Sequence, residues 1–206
     1  MAPGSEAAIA AERKALRKEL RAMRRGIPAE RRAEAARRVA LNVQHHFPLH
    51  PGQRIALYAP LPEELHVGPL IELLRRHAAS IYLPRLLDRR KRRMHFASAR
   101  GPMTANRLGI LEPSDAEWIG ARQLDLAFVP LCGFDAAGMR LGMGAGYYDR
   151  AFSFLRLRRT WHRPKLIGLA FAVQRVTSLH RAPHDVLLDA VVTEEGVHEF
   201  FHHARE

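Results

Sequence analysis

Four short apolar segments, separated by stretches long enough for helices, constrain the fold of this chain most strongly. They cover residues 54–59, 80–84, 124–130 and 165–171, and aliphatic or aromatic side chains dominate each of them. Apolar runs of this length without strict alternation are typical of strands buried on both faces. Strands that alternate with helices build parallel sheets covered by helices on both sides. The sequence therefore predicts a single three-layer α/β/α domain over residues 1–206, with a mostly parallel central sheet.

Two basic helices are predicted ahead of the first strand. Residues 6–25 carry apolar side chains at helical spacings between charged ones, and Gly26-Ile27-Pro28 ends this helix. A second helix is expected to run from there to about Phe47, with its proline near the start. Arg13 and Arg17 lie one turn apart and therefore share a face of the first helix. Both helices, which together cover residues 6–47, are expected to pack on this α/β domain.

The remaining elements are predicted from apolar spacing and turn residues. A third helix is expected near Val67–Ala79, and a fourth is expected to end at about Leu157. Residues 85–93 are expected to form a basic hairpin or loop that leads to a strand at Met94–Ala97. Residues 98–123 show weak periodicity and several turn signals, so they are expected to be mostly loop.

The net charge of +12 is the unusual feature of the composition. Residues 1–40 hold eleven Lys or Arg against five Asp or Glu, and residues 85–100 hold seven against one, whereas the remainder is balanced. Such basic segments could contact nucleic acid. The chain nevertheless has no zinc-finger spacing, no RNP-like strand and no recognisable helix-turn-helix, so no specific nucleic-acid partner is expected. Side chains that collect phosphate or polycarboxylate ligands explain the same surplus.

The apolar content argues against a membrane or secreted protein. No apolar run approaches the roughly 18 residues that a membrane helix needs, and no secretory signal pattern is present at the N-terminus. Cys132 is the only cysteine, so no internal disulfide can form, which suits a reducing cytoplasm. Its position after an apolar run favours a small buried residue over a nucleophile. The sequence predicts a cytoplasmic protein without a membrane partner.

The segment Arg140–Arg150, with the sequence RLGMGAGYYDR, carries the clearest chemical signal. Its alternating glycines, Gly142, Gly144 and Gly146, leave backbone N–H groups unobstructed by Cβ atoms. The segment is not a Walker A loop, and it fails the dinucleotide pattern because the third glycine of that pattern falls on a tyrosine. A glycine loop that enters a helix can cradle phosphate, and Asp149 could hold the accompanying metal. The alternative is a tight turn between a strand and a helix.

A second group of polar residues follows the first strand. Pro60-Leu61-Pro62 breaks that strand, and Glu63 and Glu64 lie in the loop before the third helix. Ligands of open α/β sheets bind beyond the carboxyl ends of the strands. The strand at residues 124–130 also delivers the glycine-rich segment to this edge, so both groups are expected there.

These residues resemble, in order, the 5-formyltetrahydrofolate cyclo-ligase family, whose members are also called 5,10-methenyltetrahydrofolate synthetases. The Arg140–Arg150 segment is the most specific part of the resemblance. The other matching pieces are weaker one by one but occur in the right order: Arg13–Arg17, the Glu64 loop, Leu83–Arg85, Gly109–Pro113, Asp125–Asp135, Gly168–Ala170, Gln174, His184-Asp185, Asp189 and Thr193.

The resemblance implies a cyclisation of 5-formyltetrahydrofolate to 5,10-methenyltetrahydrofolate that depends on ATP and Mg²⁺ and releases ADP and phosphate. ATP would phosphorylate the formyl oxygen, and N10 of the folate would then attack the activated carbon. ATP is a co-substrate and Mg²⁺ the cofactor, and the protein is expected to be a monomer or a weak oligomer. Two alternatives stay open: a basic nucleic-acid-binding α/β protein, and an ATP-using family member that acts on a different formylated molecule.

The resemblance also implies roles for individual residues. The catalytic residues would be Arg140, Tyr148 and Asp149. The metal ligands would be Asp149 and Asp185. The folate would contact Ala59, Glu64, Tyr147 and Tyr148. The ATP would be bound by Arg13, Lys14, Arg17, Arg140, Leu141, Gly142, Met143, Gly144, Ala145, Gly146, Tyr147 and Tyr148.

Purely structural roles are the alternatives at several of these positions. Tyr148 and Phe152 would form the core-facing side of their helix. Asp185 would cap a turn that follows Pro183. Arg13 and Arg17 would simply be solvated.

Overall fold

The structure is a computed structural model that describes residues 6–88, 90–105, 109, 111–114, 117–157 and 163–200. Its helices are α1 (Glu6–Arg25), α2 (Ala29–His46), α3 (Gly68–Arg76) and α4 (Tyr147–Ala151). Its strands are β1 (Arg54–Ala56), β2 (Ser80–Asp88), β3 (Arg93–Ser98), β4 (Met103–Ala105), β5 (Leu111–Pro113), β6 (Trp118–Ile119), β7 (Leu126–Pro130), β8 (Gly133–Phe134), β9 (Arg140–Leu141), β10 (Lys165–Leu169), β11 (Ala190–Thr193) and β12 (Gly196–Glu199). Short 3-10 helices cover Ala121–Gln123, Ser153–Leu157 and Ala172–Gln174.

The main sheet has eight strands in the order β12-β11-β10-β7-β1-β2-β3-β6. The five central strands, from β11 to β2, pair in parallel with one another. Antiparallel strands flank them, with β12 at one edge and β3 and β6 at the other. The hairpins β4–β5 and β8–β9 lie outside this sheet. The prediction of an α/β fold with a mostly parallel sheet is confirmed.

Alternate residues of the central strands pack on opposite faces of the sheet. On one face, Ile55 and Phe128 are buried in a cluster with α2 and α3. On the other, Ala56 is buried in a cluster with Phe152 and Leu155, which follow α4. A strand directs successive side chains to opposite sides, so these runs have to be apolar throughout. Together the two clusters give the three layers that the sequence predicts.

The two N-terminal helices have different packing partners. α2 packs on the sheet, where Nδ2 of Asn42 donates a hydrogen bond to the carbonyl of Thr193 at 2.8 Å. α1 instead covers the β8–β9 hairpin, where its Leu20 packs with Cys132 and Leu141. The β8–β9 hairpin leads directly into the glycine-rich segment, so α1 lies beside that segment.

Three element boundaries differ from the sequence-based predictions. Residues 85–88 belong to β2, because they continue the antiparallel ladder with β3. The fourth helix ends at Ala151, and Ser153–Leu157 is a 3-10 helix in which Leu155 N–H bonds to the Phe152 carbonyl at 2.9 Å. Apolar residues three apart suit a 3-10 turn as well as an α-helix. Residues 98–123 contain β4, β5 and β6 in their described part, so the prediction of mostly loop was wrong there.

None of the helices in the described part of the chain is both long and apolar enough to cross a membrane. The cytoplasmic location and the single domain over residues 1–206 stay predictions, and residues 158–162 lie outside the described residues.

Candidate functional site

A cavity of about 1340 Å³ lies at the carboxyl ends of the central strands. Ala59 follows β1, Pro130 ends β7, and the glycine-rich segment forms one wall between them. The loop at residues 181–185 and the first turns of α1 also line the cavity. The sheet topology predicts a ligand site at this edge, and the cavity lies there.

The glycine loop, which we define as Gly142–Gly146, exposes a row of backbone donors. Gly144 has φ +94° and Gly146 has φ +70°, a region that residues with a Cβ rarely adopt. The N–H groups of Met143, Gly144, Ala145 and Gly146 donate no hydrogen bond to any other residue in the described part of the chain. α4 is only five residues long, so these amides, more than a helix dipole, make the loop suitable for an anion.

Two arginines of α1 reach this loop. Arg17 Nε donates a hydrogen bond to the carbonyl of Gly142 at 2.7 Å, and its guanidinium lies against Gly144. Burial, together with the nearby charge of Arg13, lowers the pKa of Arg17. Arg13 forms an ion pair with Asp185 at 2.9 Å. Both arginines line the cavity, so the alternative of simple solvation does not describe them.

A second arginine–aspartate pair lies on the same wall. Arg140 is 4% exposed, and its Nη2 lies 2.5 Å from Oδ1 of Asp149. Its Nη1 donates to the carbonyl of Val186 at 3.1 Å. Burial lowers the pKa of Arg140, while the charge of Asp149 opposes that effect. The pair fixes a buried positive charge beside the glycine loop.

The carboxylates expected to hold Mg²⁺ line one cavity, and each is paired with an arginine. Asp185 also accepts the N–H of Ala182 at 2.8 Å, so it closes the turn around Pro183 as well as lining the cavity. Within the described ranges, no cluster of three or more His, Cys, Asp or Glu could hold a metal alone. Mg²⁺ commonly binds through one or two carboxylates, several waters and substrate phosphates. The donor set therefore fits a metal–nucleotide complex and does not fit a metal held by protein alone.

The far end of the cavity is more apolar and contains a buried carboxylate. Glu64 is 6% exposed, and its Oε2 accepts the N–H of Leu61 at 3.0 Å. Burial raises the pKa of Glu64. Leu86 and Met94 belong to one apolar cluster with Tyr147 and Tyr148, and these residues line the cavity together with Pro84. Apolar walls with few polar groups suit a flat organic ring.

Tyr148 connects the two ends. Its ring lies nearly parallel to that of Phe152, with centroids 6.4 Å apart, and the tyrosine also lines the cavity. Burial, and to a lesser degree the charge of Glu64, raises the pKa of Tyr148. Phe152 is fully buried, as the structural alternative predicts, whereas Tyr148 serves both the core and the cavity.

The structure brings most, but not all, of the predicted site residues together. Ala59, Met143, Ala145 and Tyr147 line the cavity with the residues described above. Lys14 is exposed on another side of α1 and does not line it. Leu141 is fully buried against α1 and does not line it either.

Several lining residues were not predicted from the sequence. Arg92 extends from the β2–β3 turn to within 3.6 Å of the Cβ position at Gly146. Arg150, Arg156 and Arg181 also line the cavity. The sequence predicts the basic run at residues 85–93 only as a hairpin or loop. No spacing pattern signals that one of its arginines folds back on the glycine loop.

Cys132 is fully buried, and its Sγ lies 3.3 Å from Sδ of Met143. Burial raises the pKa of this thiol, so the thiolate is disfavoured. The prediction of a buried residue is confirmed.

Comparisons with known proteins agree with the resemblance. The model of the 5-formyltetrahydrofolate cyclo-ligase family matches residues 9–194. The 5-formyltetrahydrofolate cyclo-ligase of Escherichia coli strain K12 is 31% identical over 173 residues, which cover 81% of this chain and 92% of that protein. The enzyme of the same name from Haemophilus influenzae is 35% identical over 147 residues, which cover 68% of this chain and 75% of that protein.

Solved structures extend the likeness to the fold. The NMR structure of Aquifex aeolicus 5,10-methenyltetrahydrofolate synthetase matches with a TM-score of 0.78 and 25% identity, covering 94% of this chain and 95% of that one. The Mycoplasma pneumoniae 5,10-methenyltetrahydrofolate synthetase shares the fold, with a TM-score of 0.70, 24% identity and coverage of 88% and 98%. The chain belongs to the 5-formyltetrahydrofolate cyclo-ligase family.

Proposed function

We propose that this protein uses ATP to close 5-formyltetrahydrofolate into 5,10-methenyltetrahydrofolate, with release of ADP and phosphate. One observation supports this most strongly: a single cavity joins a cationic glycine loop to an apolar end with a buried carboxylate. A polyphosphate suits the first end and a pterin ring the second. Membership of the family indicates which reaction joins the two substrates.

The ATP phosphates would lie against the glycine loop. The unpaired N–H groups of Met143–Gly146 would donate to phosphate oxygens, and Arg17 and Arg140 would offset their charge. Arg13 would leave its ion pair with Asp185 to join them. Such a site acts by positioning and charge stabilisation, which dominate phosphoryl transfer.

Asp149 and Asp185 would hold Mg²⁺ through carboxylate oxygens. The ion, when bound, supplies neutralisation of charge on the phosphate oxygens. Among the described residues, no hydrogen bond reaches Oδ2 of Asp149, so this oxygen is available without breaking the contact to Arg140. Lys14 and Leu141 would contribute to this half only indirectly.

The folate would occupy the apolar end. Glu64 would accept hydrogen bonds from N–H donors of the pterin, while Ala59 and Tyr147 would bound the ring. The raised pKa of Tyr148 keeps its hydroxyl protonated at neutral pH. Tyr148 would therefore donate a hydrogen bond to the reacting oxygen and would not act as a base.

The chemistry then proceeds in two steps. The formyl oxygen attacks the γ-phosphorus of ATP, and the bond to ADP breaks. The lone pair of N10 attacks the activated formyl carbon, and the C–O bond breaks as phosphate leaves with the N10 proton. The product is the cyclic methenyl compound.

The test measures the near-ultraviolet absorbance of the methenyl product in a mixture of purified protein, 5-formyltetrahydrofolate, Mg²⁺ and ATP. We expect a rise only when ATP and folate are both present, with one ADP formed for each product. No rise, or a rise that is independent of ATP, would contradict the proposal.

A further inference from the structure

Four arginines follow one another along one face of α1. Arg13, Arg17, Arg21 and Arg24 are spaced by four, four and three residues, which places them in a row on the helix. The first two reach the glycine loop and Asp185, as described above. The last two reach the loop after β1, which carries Glu63 and Glu64. The proposed function accounts for the first two only.

Arg21 and Arg24 contact the same carboxylate oxygen. Arg21 donates to Oε1 of Glu63 from Nε at 2.9 Å and from Nη2 at 2.6 Å. Arg24 Nη2 lies 3.7 Å from that oxygen, and its Nη1 donates to the carbonyl of Leu131 at 3.2 Å. Arg24 thus connects the Glu63–Glu64 loop to the segment that follows β7.

Arg24 differs from Arg21 in its burial. It is 1% exposed, and its Nε and Nη2 have no hydrogen-bond partner among the residues that the structure describes. A guanidinium buried with unmet donors destabilises a fold, and an apolar side chain of similar size is often tolerated better. Packing alone therefore does not account for an arginine at this position.

The charge of Arg24 acts on the buried Glu64 carboxylate, although Arg24 itself does not line the cavity. Burial is the largest effect and raises the pKa of Glu64, as does Glu63, whereas the N–H of Leu61 and the charges of Arg24 and Arg21 lower it. Burial and, less strongly, the charge of Glu64 raise the pKa values of Tyr58 and Tyr148. Burial and Glu64 raise the pKa of the Cys132 thiol, whereas Arg24 lowers it. Because the two tyrosines and the thiol are neutral at working pH, Arg24, Arg21 and Glu63 are the charged groups that act on Glu64.

A second contact keeps the loop in register with these charges. Arg32 of α2 donates to the carbonyls of Pro62 and Glu64, and its Nη1 donates to the carbonyl of Arg24 at 3.2 Å. The backbone of the loop is thus held from α2, and the Glu63 carboxylate contacts the arginines of α1.

We propose that Arg24 is a positioning residue for the folate: it anchors the Glu63–Glu64 loop and keeps the buried Glu64 carboxylate negatively charged for the pterin donors. The role rests on the proposed function, in which Glu64 contacts the folate. Arg24 does not line the cavity and touches neither substrate.

The test compares Arg24→Met, Arg24→Lys and Glu63→Gln with wild type in steady-state kinetics. Arg25→Met is the matched control, because Arg25 is the exposed neighbour at the same end of α1. We expect Arg24→Met to raise the KM for 5-formyltetrahydrofolate about tenfold, the effect of losing one charge-assisted interaction. The KM for ATP should stay within about twofold, because the ATP contacts of α1 are unchanged. Arg24→Lys should restore most of the folate affinity.

The pH profile separates this role from a purely structural one. Removing the cation raises the pKa of Glu64 further, so the acid limb of kcat/KM for folate should move to higher pH in Arg24→Met. Glu63→Gln removes a like charge and lowers the pKa of Glu64, so the limb should move to lower pH. If Arg24 has a purely structural role, its replacement would lower Tm, and the acid limbs of both variants would stay at the wild-type pH.

A wild-type folate KM and acid limb in Arg24→Met would overturn the proposal. If that variant does not fold, an unmoved limb in Glu63→Gln would overturn it as well. Calorimetry with 5-formyltetrahydrofolate alone keeps the two hypotheses apart. Folate binding without turnover in wild type would contradict the proposed reaction, whereas equal folate binding by wild type and Arg24→Met would contradict the role of Arg24.

Discussion

Two ion pairs, Arg13–Asp185 and Arg140–Asp149, lie at the ATP end of the cavity. Arg140 is the more deeply buried member of its pair, with a side chain 4% exposed against 22% for Asp149. A buried cation that loses its partner is costly, whereas the pair itself contributes little net stability. The aspartate therefore serves the stability of the site as well as its proposed metal.

Replacement of this aspartate should separate its two roles. We expect Asp149→Ala to abolish turnover and to lower the free energy of unfolding by about 3 kcal/mol, because Arg140 is left buried and unpaired. Asp149→Asn keeps an oxygen for Arg140 and should retain more stability while remaining inactive. Denaturant unfolding and the absorbance assay measure the two effects. Activity near the wild-type level in either variant at limiting Mg²⁺ would refute the metal role.

Removal of the Tyr148 hydroxyl tests its role as a donor. Tyr148→Phe keeps the ring beside Phe152, so Tm should hardly change. We expect kcat to fall about tenfold, as for the loss of one donor to a developing charge. Because burial raises the pKa of this hydroxyl above its usual value, the group stays protonated as the pH rises to about 9. The ratio of wild-type to variant kcat should therefore be constant from pH 7 to pH 9, and a ratio that follows a titration would contradict the donor role.

The backbone of the glycine loop forms the proposed binding site for the ATP phosphates. The Cβ of an alanine at position 142 meets no atom within 4 Å, and Gly142 does not have a positive φ. At Gly144 the φ of +94° strains any residue with a Cβ, and the added atom would lie 3.5 Å from Cζ of Arg17. The two positions therefore offer a matched comparison within one loop.

We expect Gly144→Ala to lower the free energy of unfolding by about 1–2 kcal/mol and to raise the KM for ATP, because the strained loop moves its donors. Gly142→Ala should leave Tm nearly unchanged. Thermal unfolding and ATP kinetics of both variants provide the check. Equal Tm values for the two would show that the positive φ at position 144 is not required by the fold.

The sequence predicted the strands β1, β2, β7 and β10 and the glycine loop because each depends on local pattern. The Arg140–Arg150 segment and the apolar runs need no distant contact to be recognised. Arg92 and Arg24 were missed because their roles depend on contacts across the fold, with Gly146 and Glu63 respectively. The predicted fourth helix is too long because the apolar spacing around Phe152 and Leu155 fits a 3-10 helix as well as an α-helix.

At the scale of the whole molecule, the positive charge is partly used inside the fold. The arginine row of α1 is engaged with Asp185, Gly142 and Glu63, and other arginines line the cavity. A nucleic-acid-binding protein would instead expose such basic side chains on its surface. We therefore expect DNA binding that is weak and that disappears between 50 and about 200 mM salt. Binding that persists at physiological salt, measured by fluorescence anisotropy with a labelled duplex, would favour the nucleic-acid alternative.

A single domain over residues 1–206 is expected to unfold as one cooperative unit. α1 contacts the β8–β9 hairpin and α2 packs on the sheet, so the N-terminal helices should not unfold separately. We expect one cooperative thermal transition, with equal calorimetric and van't Hoff enthalpies. A separate early transition that Leu20→Ala affects selectively would contradict a single cooperative unit.

In the proposed reaction, the phosphoryl group of ATP is transferred to the formyl oxygen within one cavity. Folate labelled with ¹⁸O in the formyl group tests it most directly, with mass spectrometry of the phosphate released during turnover. We expect the heavy oxygen to appear in the inorganic phosphate, with one labelled phosphate for each methenyl product. Unlabelled phosphate formed alongside the product, with the label left in water or folate, would contradict phosphoryl transfer to the formyl oxygen.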